Sequence, residues 1–145
     1  ILAEEMGAKW KQDLLGDNVS ETQINKALAN SSARILSAPT LLLGCLVQEG
    51  LNTYTDFERA SAEWGLAQHS IGAALENILL AAHVRNYGAY WISAPLYAGD
   101  NVRTALQLEQ EWVPQALIAL GRKNTGYEPF DRPELNINEY LIWRE

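Results

Sequence analysis

The chain has 145 residues, 48% of them hydrophobic, with 11 Lys and Arg against 18 Asp and Glu and a formal net charge of −7. That length suits one core, so a single domain over residues 1–145 is expected. The acidic balance, with no run of cations, argues against nucleic acid as a partner.

One cysteine, Cys45, excludes an intrachain disulfide and fits a reducing, cytoplasmic setting; within TLLLGCLV it reads as core. The longest apolar stretch, SIGAALENILLAAHV, carries Glu76 and Asn77 at its middle. A bilayer span needs about 20 mostly uncharged residues, so no membrane helix is expected. The start at Ile1, followed by AEEMGAKWKQ, reads as the opening of a fragment and not as a signal peptide.

Leu2, Met6, Trp10 and Leu14 recur every four residues and predict a surface helix with one buried stripe. Gly16, Asp17 and Asn18 break it, and Ser20 with Gln23 gives a capping-box start to a second helix ending near Ser37. Thr40 to Val47, bounded by Pro39 and Gly50, predicts a strand covered on both faces. Phe57, Ala60, Trp64, Ala67, Ile71, Ala74, Ile78 and Ala81 keep a three-four spacing within Thr55 to Arg85. This predicts one helix of roughly 45 Å, long enough to need wrapping by other elements or by a second subunit.

After a break at Asn86 to Gly88, AYWISA predicts a strand, then a short helix near Asp100 to Leu108 with Asp100 as cap, then a strand QALIALG after Pro114. From Pro129 the chain reads as an extended arm ending in YLIW, suited to adding a strand to a partner's sheet. Short strands among long helices indicate an α+β domain.

The histidines, His69 and His83, stand fourteen apart on the long helix, roughly 20 Å, so they cannot share a metal within one chain. With no nucleophile elbow, Walker loop or Gly-x-Gly-x-x-Gly, hydrolase, P-loop and dinucleotide-fold readings lose their support. The carboxylate pairs Glu4 with Glu5 and Glu109 with Glu111 lie in polar contexts and read as solvated surface.

The segments ENILLAAHVRNYGAYWIS, APLYAGDNVRTALQL and PQALIALGRK, with Asp131-Arg132-Pro133 on the arm, resemble the nitroreductase superfamily in order and spacing. Within it, KWKQDL, ILSAPTLLLGCLVQEG, YGAYWISAPLYAGDNVR and EWVPQALIALGRK are similar to the domain that follows the glutamyl ligase domain in proteins making the deazaflavin coenzyme F-420. The resemblance implies a nitroreductase-like α+β fold: a small, mostly antiparallel sheet around a long central helix, dimeric, with an extended C-terminal arm. It also implies FMN at a homodimer interface, and hydride passing from a reduced nicotinamide (NADPH or NADH) or a deazaflavin to a small organic substrate. The family's opening Arg-Arg-Ser-x-Arg and its Asn-x-Gln-Pro-Trp segment do not occur here, so a non-catalytic dimer module binding flavin or another planar ligand is the alternative.

Carried residue by residue, the resemblance places Ser93, Ala94, Pro95 and Leu96 along the flavin ring edge. Pro95 has no N–H, so the contact to the ring's N5 falls to Leu96 or Ala94. Arg132 corresponds to the family arginine on the FMN phosphate, a role for which a guanidinium's paired donors are suited. Taken alone, Ser93–Leu96 is an ordinary strand-to-helix turn, and Arg132 a surface arginine beside Asp131 and Glu134. Arg122 and Lys123 are secondary phosphate candidates, Trp91 is a ring neighbour or a core residue, and no catalytic acid or base is assigned.

Overall fold

The computed structural model describes residues 1–124, 126, 131 and 133–144. Helices α1 (Leu2–Gly16) and α2 (Glu21–Ser37) lead into strand β1 (Thr40–Val47). The long helix α3 (Phe57–Val84) follows, then β2 (Tyr87–Ile92), α4 (Ala94–Tyr97), α5 (Gly99–Leu106) and β3 (Trp112–Arg122). The three strands form one antiparallel sheet in the order β1-β3-β2.

Local chemistry explains most boundaries. The Ser20 hydroxyl accepts from the Gln23 N–H at 3.4 Å and donates to Gln23 Oε1 at 2.7 Å, starting α2 where the sequence predicts. Asp56 caps α3 by accepting from the Arg59 N–H at 2.9 Å. Asn18 and Asn86, in the two predicted breaks, take positive φ of 59° and 61°, a conformation asparagine tolerates better than most residues.

Strand β3 is the axis of the molecule, and its alternation assigns the layers. Leu117 and Ala119 meet Met6, Ile35, Ile92, Ala98 and Val102 on the α1, α4 and α5 side. Ala116 and Ile118 meet Leu75, with Ile71, Ile78, Leu79 and Trp91, on the α3 side. The sheet is thus sandwiched between helices, the arrangement in which both of its faces are apolar.

Three predicted details change. Strand β3 begins at Trp112 and runs through Pro114, where the sequence predicts a strand only after it. The reason is a bulge: the register jumps between Gly44–Ala116 and Cys45–Pro114, and Gln115 turns its amide onto the Val113 and Pro114 carbonyl oxygens, each at 3.2 Å. Helix α5 starts at Gly99 with Ala98 at its N-cap, so Asp100 lies in the first turn, ion-paired with Arg103, and does not cap. Strand β1 does pack on both faces, Leu41 and Leu43 against one core and Gly44 beside Leu75 of α3, but it is a sheet edge and its cover is incomplete, with Leu42 and Val47 partly exposed in the single chain.

The described part of the arm has no strand. It holds one 3-10 turn, Ile137–Glu139, and its apolar side chains are exposed, Ile142 and Trp143 to more than 80%.

Candidate flavin-edge loop and its surroundings

Strand β2 ends at Ile92, and the chain turns at once into α4, so Ser93 stands at the N-cap and Ala94, Pro95 and Leu96 form the first turn. The turn is fixed from beneath. Pro95 is fully buried, Ala98 is 3% exposed, and Val102 in α5 has no exposed surface. Pro95 sits where a missing N–H costs no helical hydrogen bond. The Ala98 N–H donates to the Ala94 carbonyl oxygen at 3.1 Å, and the Val102 N–H to that of Ala98 at 2.9 Å, tying α4 to α5.

What the turn presents outward is apolar: Leu96 is 51% and Tyr97 77% exposed. The Leu96 N–H donates to the Ser93 carbonyl oxygen at 3.0 Å, so it is engaged inside the turn. Ala94 is the first residue of α4, where a helix supplies no intrahelical acceptor for the N–H.

Trp91 takes the core role on the α3 side, yet its Nε1–H reaches the Ser93 hydroxyl oxygen at 3.0 Å. That bond couples the packed indole to the first residue of the turn. Arg122 pairs with Tyr87 at the opposite end of β2, roughly 17 Å from the turn at strand rise, so Arg122 and Lys123 do not join Ser93–Leu96. Arg132, the phosphate candidate, lies outside the described residues.

Sequence reasoning missed the reverse side of this turn. A cavity of about 420 Å³ separates it from α1, with Ser93, Ala94 and Tyr97 on one wall and Lys9, Trp10 and Asp13 on the other. Lys9 and Asp13 are ion-paired one helical turn apart. The four-residue spacing marks the pair in the sequence, but nothing there tells that α1 packs against the turn. Among Ser93 to Leu96 there is no titratable side chain, so the turn can orient a planar ligand and donate a backbone hydrogen bond but cannot itself act as an acid or base.

Elsewhere, the two resolved shifts are structural. Burial pushes the Cys45 thiol up, and the Arg59 backbone and side chain together hold Asp56 below the usual carboxylate value. Among the described residues no group of three or more His, Cys, Asp or Glu converges as a metal site, and no helix is long and apolar enough to cross a membrane.

An antiparallel three-stranded sheet with a 28-residue helix on one face and a strand-to-helix turn closing the other defines a nitroreductase-like α+β fold. Residues 2–122 match the Nitroreductase family, and the chain belongs to it. A nitroreductase from Desulfovibrio desulfuricans, solved in complex with FMN, superposes with a TM-score of 0.60 at 20% identity, covering 99% of this chain and 66% of that one. A BluB-like flavoprotein from Clostridium difficile 630 gives 0.67 at 24% identity, covering 99% and 73%. The FMN and NADPH-dependent nitroreductase NfnB from Sphigopyxis sp. strain HMH gives 0.55 at 14% identity, covering 91% and 55%. This chain therefore spans about two-thirds of the length of the first of these proteins and about half that of the last.

Proposed function

We propose that residues 1–145 form one nitroreductase-like domain of an FMN-dependent oxidoreductase that reduces a small organic substrate. The observation that carries this reading is the anchored turn Ser93–Leu96 in a chain of this family, with solved relatives described as FMN-bound or FMN-dependent. The turn fits a flavin edge: its base is immobilised, Ala94 permits close approach, and Leu96 with Tyr97 gives an apolar flank for a flat ring.

When bound, FMN would supply the hydride chemistry. The chain's own part is to hold the ring edge, direct the Ala94 N–H at it, and leave room for a second planar molecule. With no titratable side chain among Ser93 to Leu96, protons come from water or substrate. A reduced nicotinamide is the proposed donor, in keeping with the NADPH dependence of one relative. The deazaflavin alternative, and a role beside coenzyme F-420 biosynthesis, rest on the sequence resemblance of KWKQDL and YGAYWISAPLYAGDNVR alone.

A homodimer belongs to this reading. Helix α3 leaves Phe57, Leu66, Leu80 and Val84 exposed, and the arm leaves Leu135, Ile142 and Trp143 exposed, a distribution that a second copy would cover. The test is a titration with FMN and, separately, riboflavin. Arg132→Ala is expected to weaken FMN by about 1.5 to 3 kcal/mol, the range for a hydrogen bond to a charged group, and to leave riboflavin unchanged. Equal affinity of wild type and variant for FMN would return Arg132 to the surface.

A further inference from the structure

The C-terminal end of a helix carries partial negative charge, and cationic side chains placed there stabilise it. Helix α1 does the reverse. Its last turn contains no basic residue, Asp13 begins that turn, and Asp17 stands at the C-cap, so two carboxylates add to the negative end of a 15-residue helix. Lys9, one turn back, is ion-paired with Asp13, and both side chains remain partly exposed. The aromatic residue of the same helix is also out of pattern. Trp10 belongs to the apolar stripe that the sequence predicts to be buried, and Met6, one turn before it, is buried; yet Trp10 is 40% exposed.

These features meet at one place. Trp10, Asp13 and Asp17 all line the cavity of about 420 Å³ between α1 and the reverse side of the α4 turn, and Tyr97 lines it from the turn. The cavity therefore has an aromatic side chain from each of its two walls and two carboxylates at the negative end of a helix. Tyr97, at 77% exposed, is no better covered by the chain than Trp10. Lys9 lines the same space and is the competitor built into it, because its ammonium neutralises Asp13.

We propose that this cavity binds a small organic cation, a quaternary or substituted ammonium with apolar groups around the charge. An aromatic face attracts a cation through its quadrupole, and the attraction grows as water is excluded from the pair. The end of α1 and the Asp13 and Asp17 carboxylates supply the counter-charge. The volume is that of a small-ligand site. A hard metal ion does not fit the same set, because Mg²⁺ or Ca²⁺ asks for about six or more oxygen ligands, and aromatic walls supply none. The proposal does not rest on the flavin reading. Tyr97 also flanks the ring in that reading, so the decisive residues are those of α1.

The experiment titrates the 145-residue chain with choline and with benzyltrimethylammonium, following the Trp10 indole N–H by NMR after its assignment with Trp10→Phe. The control is the neutral isostere of choline in which carbon replaces nitrogen. Saturable shifts of the Trp10 signal by both cations, and none by the isostere, are expected. Asp17→Asn and Tyr97→Ala should each weaken the cations about three- to tenfold, the range of a cation held over an aromatic face or beside a carboxylate. Tyr97→Phe, which keeps the ring, should bind as the wild type does. Lys9→Gln frees Asp13 and should tighten binding by a similar factor, a gain that damage to the fold does not produce. The titration needs no flavin, so a chain that fails to bind FMN leaves it standing. Equal binding of choline and its isostere, or an affinity unchanged by both Asp17→Asn and Lys9→Gln, overturns the proposal. So does failure of both cations to shift the Trp10 signal, and so does their displacement by FMN, because the cavity would then belong to the flavin.

Discussion

A β-carbon added at Gly44 would lie 2.9 Å from Cδ2 and 3.1 Å from Cδ1 of Leu75, a core residue of α3 that is 4% exposed. The contact is with the end of a side chain, so Leu75 can rotate, but only into space already filled by Ile118 and Ala116. Gly44→Ala is expected to cost about 1 to 3 kcal/mol by overpacking, read as a lower urea midpoint at unchanged slope. An unchanged midpoint would mean that α3 sits further from β1 than described. The same scale shows what a sequence conceals. SAPLYAG states that a proline interrupts a turn of small residues, and from that the missing N–H at Pro95 follows. That the Leu96 N–H is already engaged by Ser93, and that Trp91 reaches the Ser93 hydroxyl from the other face, depends on how the turn closes.

Helix α3 was the most legible element, because 28 residues of three-four spacing leave little room for another reading. Its start is also a titratable device. The Arg59 N–H and, at 2.6 Å, the Arg59 side chain favour ionised Asp56 and depress its pKa. A depressed carboxylate contributes stability that is fully present above its unfolded pKa and is lost as pH falls through the lower, folded one. Asp56→Asn, which keeps a capping oxygen, should therefore remove the acid dependence of the first turn of α3 and change little at neutral pH. Amide hydrogen exchange at Arg59 and Ala60 between neutral and acid pH reads this directly, and identical acid dependence in both proteins would contradict it. Strand β3 was less legible. Pro114 looks like a boundary in one dimension, and only pairing with β1 through a bulge at Gln115 shows that the strand passes through it. The four residues of α4 carry no periodicity, so the sequence shows them only as a strand-to-helix turn.

At the scale of the molecule, the apolar residues of one chain are not all satisfied by that chain. Only Ala67, Leu75 and Ala82 of α3 are buried, and the arm keeps Leu135, Tyr140, Ile142 and Trp143 in solvent. Removing residues after Pro129 is expected to weaken self-association, seen by light scattering as a shift toward the monomer mass on dilution; an unchanged mass at every concentration would remove the arm from the interface. Most helices and strands could be anticipated from the apolar pattern, and the sheet around a long helix from the family resemblance, whereas the cavity behind the turn could not. It is made by residues from α1, α2 and the α4 turn that are far apart in sequence and brought together only by packing.

The most direct test of the account is to titrate the 145-residue chain with FMN, follow the quenching of flavin fluorescence, and record the visible spectrum after dialysis. The account predicts a saturable complex that keeps its flavin spectrum through dialysis, with the Ser93–Leu96 turn as its ring-edge contact. A flavin that remains fully fluorescent and is lost on dialysis would contradict it.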